Sequence, residues 1–112
     1  MKKIEAIIRP AKLDDVCNVL EKTGYSGLMI TEIQGHGKQK GLVQQWRGKE
    51  YKVSLLPKVK IEVVIKDQDI ERTIKAIKEA AYTGEMGDGK IFIYNIEDAV
   101  RIRTDERGNS AI

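Results

Sequence analysis

Two stretches of the chain, residues 3–9 and 58–66, alternate between apolar and polar side chains. Their apolar positions are Ile4, Ala6, Ile8, Val59, Ile61, Val63 and Ile65. A repeat of two residues is typical of a β-strand with one buried face. Two further apolar runs, at 28–34 and 91–96, are compatible with strands. The pattern therefore predicts four main strands.

Apolar residues recur at helical spacing in two other parts of the chain, one after each alternating stretch. They are Leu13, Val16, Cys17 and Leu20 in the first part, and Ile70, Ile74, Ile77 and Ala81 in the second. This spacing gives each predicted helix one apolar face. Gly24 and Gly27 interrupt the helical pattern and separate the first helix from the next strand. Asp67 or Asp69 can cap the second helix.

The order strand, helix, strand, strand, helix, strand predicts an α+β fold of the ferredoxin-like type. Such a fold has an antiparallel sheet with both helices on one face. We expect residues 1–112 to form a single domain, with a polar and flexible tail over 104–112. The fold hosts many functions, so the function has to be sought in particular residues.

Composition narrows the class of protein. Charged residues make up 33% of the 112 residues, but the net charge is only +3, too small to indicate nucleic-acid binding. The single cysteine, Cys17, rules out an internal disulfide and a cysteine-based zinc cluster. We expect a cytoplasmic protein without a signal peptide or membrane span. A chain this small can bury more surface by assembling with copies of itself.

The link between the two middle strands, residues 37–55, is far longer than a hairpin needs. It carries five basic residues against one acid, Glu50, a net charge of +4, so the rest of the chain sums to −1. It also contains Trp46 and Tyr51. Long loops of this kind are commonly functional. We interpret the link as a mobile binding arm; the alternative is a partly extended hairpin with a solvated tip.

Two loops combine glycine with lysine, at 35–41 and at 83–90. Glycines let backbone amides approach a phosphate, and lysines supply positive charge. The second loop nearly matches a P-loop, but Ile91 stands where the magnesium-binding Ser or Thr belongs, and the loop runs from helix to strand. We therefore reject an ATPase. If 100–103 is a short extra strand, Arg101 and Arg103 share a side and suit phosphate contact.

Residues 83–93, TGEMGDGKIFI, closely resemble the C-terminal signature of the PII signal-transduction family. The resemblance extends to residues 1–8, 48–51, 56–62 and 100–104, and so runs nearly from end to end. It implies homotrimers of ferredoxin-like subunits that bind ATP or ADP in the clefts between subunits. It also implies binding of 2-oxoglutarate, with Mg²⁺ held by the ATP phosphates.

The resemblance assigns roles to particular residues. Matching positions for ATP or ADP are Ile7, Gly35, Gly37, Lys38, Gln39, Glu62, Val64, Thr83, Gly84, Gly87, Asp88, Gly89, Lys90, Arg101 and Arg103, with Ile7, Glu62 and Val64 at the adenine. Those for 2-oxoglutarate are Gln39, Lys40 and Lys58, and Gln39 is also the magnesium ligand. Trp46, Arg47 and Tyr51 belong to the partner-binding T-loop, and Tyr51 matches a residue that some members nucleotidylylate.

The resemblance therefore implies a regulatory binding protein, not an enzyme. Its T-loop would act on an ammonium channel or on a nitrogen-metabolism enzyme or kinase. An alternative is a divergent PII-like trimer that senses adenine nucleotides or another small ligand without responding to 2-oxoglutarate. Met29 and His36 depart from the family pattern and keep this alternative open. A hydrolase of the same fold lacks a paired acid and base, and an RNA-binding sheet lacks its motif.

Overall fold

The computed structural model describes residues 1–25, 27–36, 43–46, 49–52 and 55–112. Its strands are β1 (Lys2–Ile8), β2 (Met29–His36), β3 (Val43–Trp46), β4 (Lys49–Lys52), β5 (Leu55–Ile65) and β6 (Lys90–Asn95). Its α-helices are α1 (Leu13–Glu21) and α2 (Ile70–Ala81). Short 3-10 turns lie at Pro10–Lys12, Asp67–Asp69 and Gly108–Ala111. The main elements follow the predicted order, with β3 and β4 inserted between the two middle strands.

Four strands form one antiparallel sheet in the order β2-β5-β1-β6. β1 lies inside the sheet, paired with β5 from Lys2↔Ile65 to Ile8↔Val59 and with β6 on its other side. Each helix therefore connects two strands that are separated by another strand. This arrangement confirms the predicted α+β ferredoxin-like fold.

β3 and β4 pair with each other inside the long link. Val43 lies opposite Lys52, and Trp46 lies opposite Lys49. Of the two interpretations of residues 37–55, the pairing agrees with the extended hairpin. A binding role does not conflict with a hairpin, and the mobility of this segment stays a prediction.

The core lies between the sheet and the two helices. The apolar positions of the two alternating stretches are all buried, as the alternation predicts: Ile4, Ala6, Ile8, Val59, Ile61, Val63 and Ile65. The helices add Val16, Leu20, Ile70, Ile77 and Ala81. Burial of a large apolar side chain contributes about 1.5–3 kcal/mol. A shift of β1 by one residue would lose several such contributions, so the register is well determined.

The opposite face of the sheet carries a charged cluster. Glu5 lies directly across from Glu62, a pairing of like charges that is unfavourable by itself. The Lys3 ammonium offsets it, because its nitrogen lies 3.0 Å from Glu62 and 3.9 Å from Glu5. Lys3 also stacks over the Tyr94 ring, 4.6 Å from its centre. The hydrogen bond from Lys3 lowers the pKa of Glu62 below its ordinary value.

The predicted short strand at 100–103 is wrong. Only Val100 makes a strand-like pair, with Arg107, and residues 102–104 form a turn. The Asp105 amide donates to the Arg101 carbonyl at 2.8 Å, which closes this turn. Asp105 has a φ of 61°, a conformation that aspartate tolerates better than most residues. Arg101 and Arg103 are therefore not on one side of an extended strand.

Neither predicted capping residue caps α2. Asp69 occupies the N-cap position but makes no side-chain bond to the helix amides. Its carboxylate accepts a hydrogen bond from the Tyr25 hydroxyl at 2.5 Å and pairs with Arg72 at 2.9 Å. The Asp67 carboxylate pairs with the amino group of Met1. Both aspartates therefore join distant segments instead of accepting hydrogen bonds from the first backbone amides of α2.

The tail over 104–112 contains the 3-10 turn Gly108–Ala111. The Gly108 amide donates to the Ala99 carbonyl at 3.0 Å, which holds the start of this turn against the segment before it. The predicted flexibility of the tail stays a prediction. Within the described part of the chain, no helix has both the length and the apolar character that a membrane span requires.

Candidate functional site

The glycine-rich loop at 83–90 is organised around the carboxylate of Asp88. The backbone amides of Thr83 and Gly84 donate to it at 2.8 and 2.9 Å, and the Thr83 hydroxyl donates to its other oxygen. Arg9 adds a charged hydrogen bond at 3.1 Å from its Nε. The Thr83 hydroxyl and these other donors hold the pKa of Asp88 far below its ordinary value. The carboxylate thus acts inside the loop, while the loop's remaining amides are the groups suited to an anion.

Two cations tie this loop to the sheet. Arg9, just beyond the end of β1, also donates from Nη2 to the Met86 carbonyl at 2.7 Å. The Lys58 ammonium donates to the Gly87 carbonyl at 2.6 Å. Burial, and secondly the charge of Arg9, lower the pKa of Lys58 below its ordinary value. The site therefore concentrates positive charge where part of the solvent has been removed, which favours an anionic ligand.

Gly89 brings the loop backbone against the end of β1. Its φ is +109°, and a Cβ atom built on it would lie 1.7 Å from the Ile7 carbonyl oxygen. Only glycine can occupy this position without moving the backbone. The close approach sets the direction in which the chain enters β6 at Lys90.

The loop and the end of β2 border one cleft of about 680 Å³. It is lined by Ile7, Gly35, His36, Leu56, Lys58, Met86, Gly87, Gly89, Lys90 and Phe92. The first two residues of the 35–41 loop thus lie at the same cleft as the glycine-rich loop. Apolar side chains beside two lysines suit a ligand that has both an anionic and an apolar part.

A second cleft, of about 530 Å³, lies towards the other end of the sheet and includes Val64 and Arg101. Val64 pairs with Lys3, whereas Ile7 of the first cleft pairs with Lys60. Four residues of strand separate these pairs, or about 13 Å. The residues expected around one nucleotide are therefore divided between two half-sites within a single chain.

The remaining predicted residues fall into four groups. Glu62 lies on the open sheet face beside Lys3, and Arg103 is exposed in the turn after Arg101. Gly37, Lys38, Gln39, Lys40 and Arg47 lie outside the described residues. Trp46 and Tyr51 lie in β3 and β4, where only the backbone is described.

Sequence reasoning missed Arg9, although it bonds to two residues of the loop. Its partner Asp88 is 79 positions away, so no local pattern reveals the pair. The available signal was a cation at the end of a strand, directly before Pro10. Among the residues that the structure describes, no group of three His, Cys, Asp or Glu side chains could hold a metal ion.

The fold, with the end of β2 and the glycine-rich loop at one cleft, defines a small α+β protein with a candidate anion-binding cleft. Residues 1–106 match the family model described as "Nitrogen regulatory protein P-II". Proteins of that name from Rhodospirillum rubrum and Bradyrhizobium diazoefficiens are 59% and 58% identical over the full length of both chains. "Nitrogen regulatory protein P-II 2" of Methanothermobacter thermautotrophicus is 48% identical over all of this chain and 97% of its own. This chain therefore belongs to the P-II family of nitrogen regulatory proteins.

Proposed function

We propose that the chain is a cytoplasmic sensor that binds ATP or ADP, with 2-oxoglutarate, and regulates other proteins through residues 37–55. The observation that carries this proposal is that Gly35 lines one cleft with Gly87, Gly89 and Lys90, beside Lys58. The regulatory names of the relatives agree with a binding role in place of catalysis. In this cleft the amides of the glycine-rich loop and Lys90 would contact the phosphates.

The division into two half-sites supports a homotrimer. Val64, expected at the adenine, and Arg101, expected at the phosphates, both line the second cleft, and Val64 lies about 13 Å along the sheet from Ile7, the adenine residue of the first cleft. A neighbouring subunit can supply them if nucleotide binds between subunits. Sedimentation analysis at several concentrations would test this point, because monomers at nucleotide-binding concentrations would contradict it.

The 2-oxoglutarate site would combine Lys58 with Gln39 and Lys40. The Lys58 ammonium already uses one donor on the Gly87 carbonyl, and it has two others for a carboxylate. Gln39 and Mg²⁺ on the ATP phosphates would complete the site. Ligand contact at 38–40 would favour one state of the 37–55 segment, as a population shift requires. Trp46, Arg47 and Tyr51 would then meet an ammonium channel or a nitrogen-metabolism enzyme or kinase, and Tyr51 is a candidate for modification.

Calorimetry tests the proposal directly. Mg-ATP should bind the purified protein, and 2-oxoglutarate should bind only when Mg-ATP is present. Lys90→Gln should weaken ATP binding about tenfold to a hundredfold, the usual effect of losing a charged hydrogen bond. Lys75→Gln, which changes an exposed lysine of α2 that pairs with Glu79 at 4.0 Å, is the control. Equal affinities of these two variants would contradict a role for Lys90.

A second pair of variants separates the two ligands. Gln39→Ala should weaken 2-oxoglutarate binding more than ATP binding, whereas Gln45→Ala in the same segment should change neither. Equal losses of both ligands in Gln39→Ala would refute the metal-bridging role. ATP binding without any 2-oxoglutarate response would support the divergent nucleotide sensor. No nucleotide binding at all would refute the proposed function.

A further inference from the structure

The chain after β6 folds back on itself through a second aspartate. The Asp98 carboxylate accepts from the amides of Ala99 at 2.8 Å and Gly108 at 3.1 Å, and it pairs with Arg107 at 3.0 Å. These bonds close a loop whose two sides meet at Val100 and Arg107. The Ala99 amide and the charge of Arg107 hold the pKa of Asp98 below its ordinary value. The end of the chain is thereby returned to the cleft that contains Arg101.

This loop places an acidic side chain on Arg101. The Arg101 amide donates to the Glu106 carbonyl at 2.9 Å, so the two residues are neighbours across the loop. The Glu106 carboxylate lies 3.5 Å from Arg101 Nη1, and the Ser110 carbonyl lies 3.4 Å from Arg101 Nη2. Each terminal nitrogen of the guanidinium therefore faces one of the protein's own oxygens. Ala111 and Ile112 line the same cleft.

These contacts are weak enough to be exchanged. Charged hydrogen bonds of good geometry measure about 2.7–2.9 Å, and both contacts to Arg101 are longer. Arg101 and Glu106 are also 41% and 42% exposed, so water screens their attraction. A phosphate can offer the guanidinium two short parallel bonds and a larger charge. A phosphate bonded to the guanidinium would also bring its negative charge beside the Glu106 carboxylate, and the repulsion between these like charges favours departure of Glu106.

We propose that Glu106 is an internal competitor that holds Arg101 until a phosphate group of the ligand displaces it. This inference rests on the proposed function, in which Arg101 contacts nucleotide, and it adds a regulatory contact to that site. The contact lowers the apparent affinity for the ligand, because binding must first break it. It also links the position of the C-terminal segment to occupancy of the cleft.

The test compares Glu106→Gln with Asp105→Asn in the full-length protein. Both variants remove one negative charge from neighbouring positions, and asparagine tolerates the positive φ of residue 105. Calorimetry with Mg-ATP should show that Glu106→Gln binds about 1.5- to 5-fold more tightly than Asp105→Asn, the range expected for an exposed ion pair. The ratio should fall towards one at high ionic strength. Equal affinities, or weaker binding by Glu106→Gln, would overturn the inference.

Failure of the proposed function would be visible separately. If neither variant nor the unsubstituted protein binds Mg-ATP, the proposed function is wrong. The comparison is then repeated with inorganic triphosphate as the anion. Tighter triphosphate binding by Glu106→Gln than by Asp105→Asn would then support the competition at Arg101. Equal binding, or no binding of triphosphate by any of the proteins, would overturn it.

Discussion

Replacing Gly89 with alanine should destabilise the protein much more than the same change at Gly84. Both glycines have positive φ, +109° and +88°, so both substitutions carry backbone strain of about 1–3 kcal/mol. They differ in what the new methyl group meets. At Gly89 it would lie 1.7 Å from the Ile7 carbonyl oxygen, which belongs to the sheet backbone. At Gly84 the nearest atom is the Tyr82 hydroxyl oxygen at 3.1 Å, on a side chain that is 70% exposed and can turn away.

The clash at Gly89 can be relieved only by separating the loop from β1. Ile7 pairs with Lys90 and Lys60, so such a movement weakens ladder hydrogen bonds worth about 0.5–1.5 kcal/mol each. We expect Gly89→Ala to lose about 2 kcal/mol more than Gly84→Ala, a difference of roughly 8–16 °C in Tm for a domain of this size. Urea unfolding followed by circular dichroism measures this at one fixed protein concentration. Equal stabilities would refute the close packing of the loop on β1.

Two further predictions concern Asp88 and Tyr25, whose side chains each make more than one hydrogen bond. Because the pKa of Asp88 is lowered in the folded protein, its contribution to stability is complete above about pH 4 and is lost as the pH falls below that. Asp88→Asn should therefore lower the free energy of unfolding at neutral pH and make it fall less steeply in acid. Unfolding curves of the variant and the unsubstituted protein, from neutral pH to about pH 2, measure this. Parallel losses of stability in the two proteins would contradict the prediction. Tyr25→Phe removes the donor to Asp69 and the acceptor of the Lys66 amide at 3.1 Å, so it should cost about 1–3 kcal/mol. A loss below a few tenths of a kcal/mol in urea unfolding would show that water replaces both bonds.

The fold could be predicted from the sequence where one face of an element is buried. Ile4, Ala6 and Ile8 alternate because every second residue of β1 faces the helices, and this pattern is visible in the chain. The start of β5 was less visible. The strand begins at Leu55, where it pairs with His36 beyond the core, and no burial requirement leaves an alternating pattern there.

The same reasoning failed where alternation had no buried face behind it. Val100 and Ile102 alternate with two arginines, yet Ile102 is fully exposed. The conformation there is determined by side-chain bonds to the backbone around Asp98, and by the left-handed turn at Asp105. Local turn chemistry of this kind competes with strand formation. Periodicity alone could not reveal which of the two would prevail.

The candidate site could be predicted from the sequence only in part. Its glycines and lysines could be found from spacing, because backbone access and charge are properties of short segments. The contacts that give the site its shape, Arg9 with Asp88 and Lys58 with Gly87, join residues far apart in the chain. Asp88 illustrates the difference: the family resemblance implies a place among the phosphate-binding residues, whereas its carboxylate accepts from Thr83 and Gly84 within the loop and from Arg9.

Lys58 links these structural contacts to the proposed sensing. Its side chain packs on Gly35, where a Cβ atom would lie 3.1 Å from Lys58 Cγ, and its ammonium reaches the Gly87 carbonyl. One side chain therefore contacts both the strand that leads into residues 37–55 and the glycine-rich loop. Burial lowers the pKa of this ammonium, so a bound anion would stabilise its charged form. Under the proposed function, an anion bound to the ammonium would therefore act on a side chain that also packs on Gly35, and this contact would give ligand binding a physical route to residues 37–55.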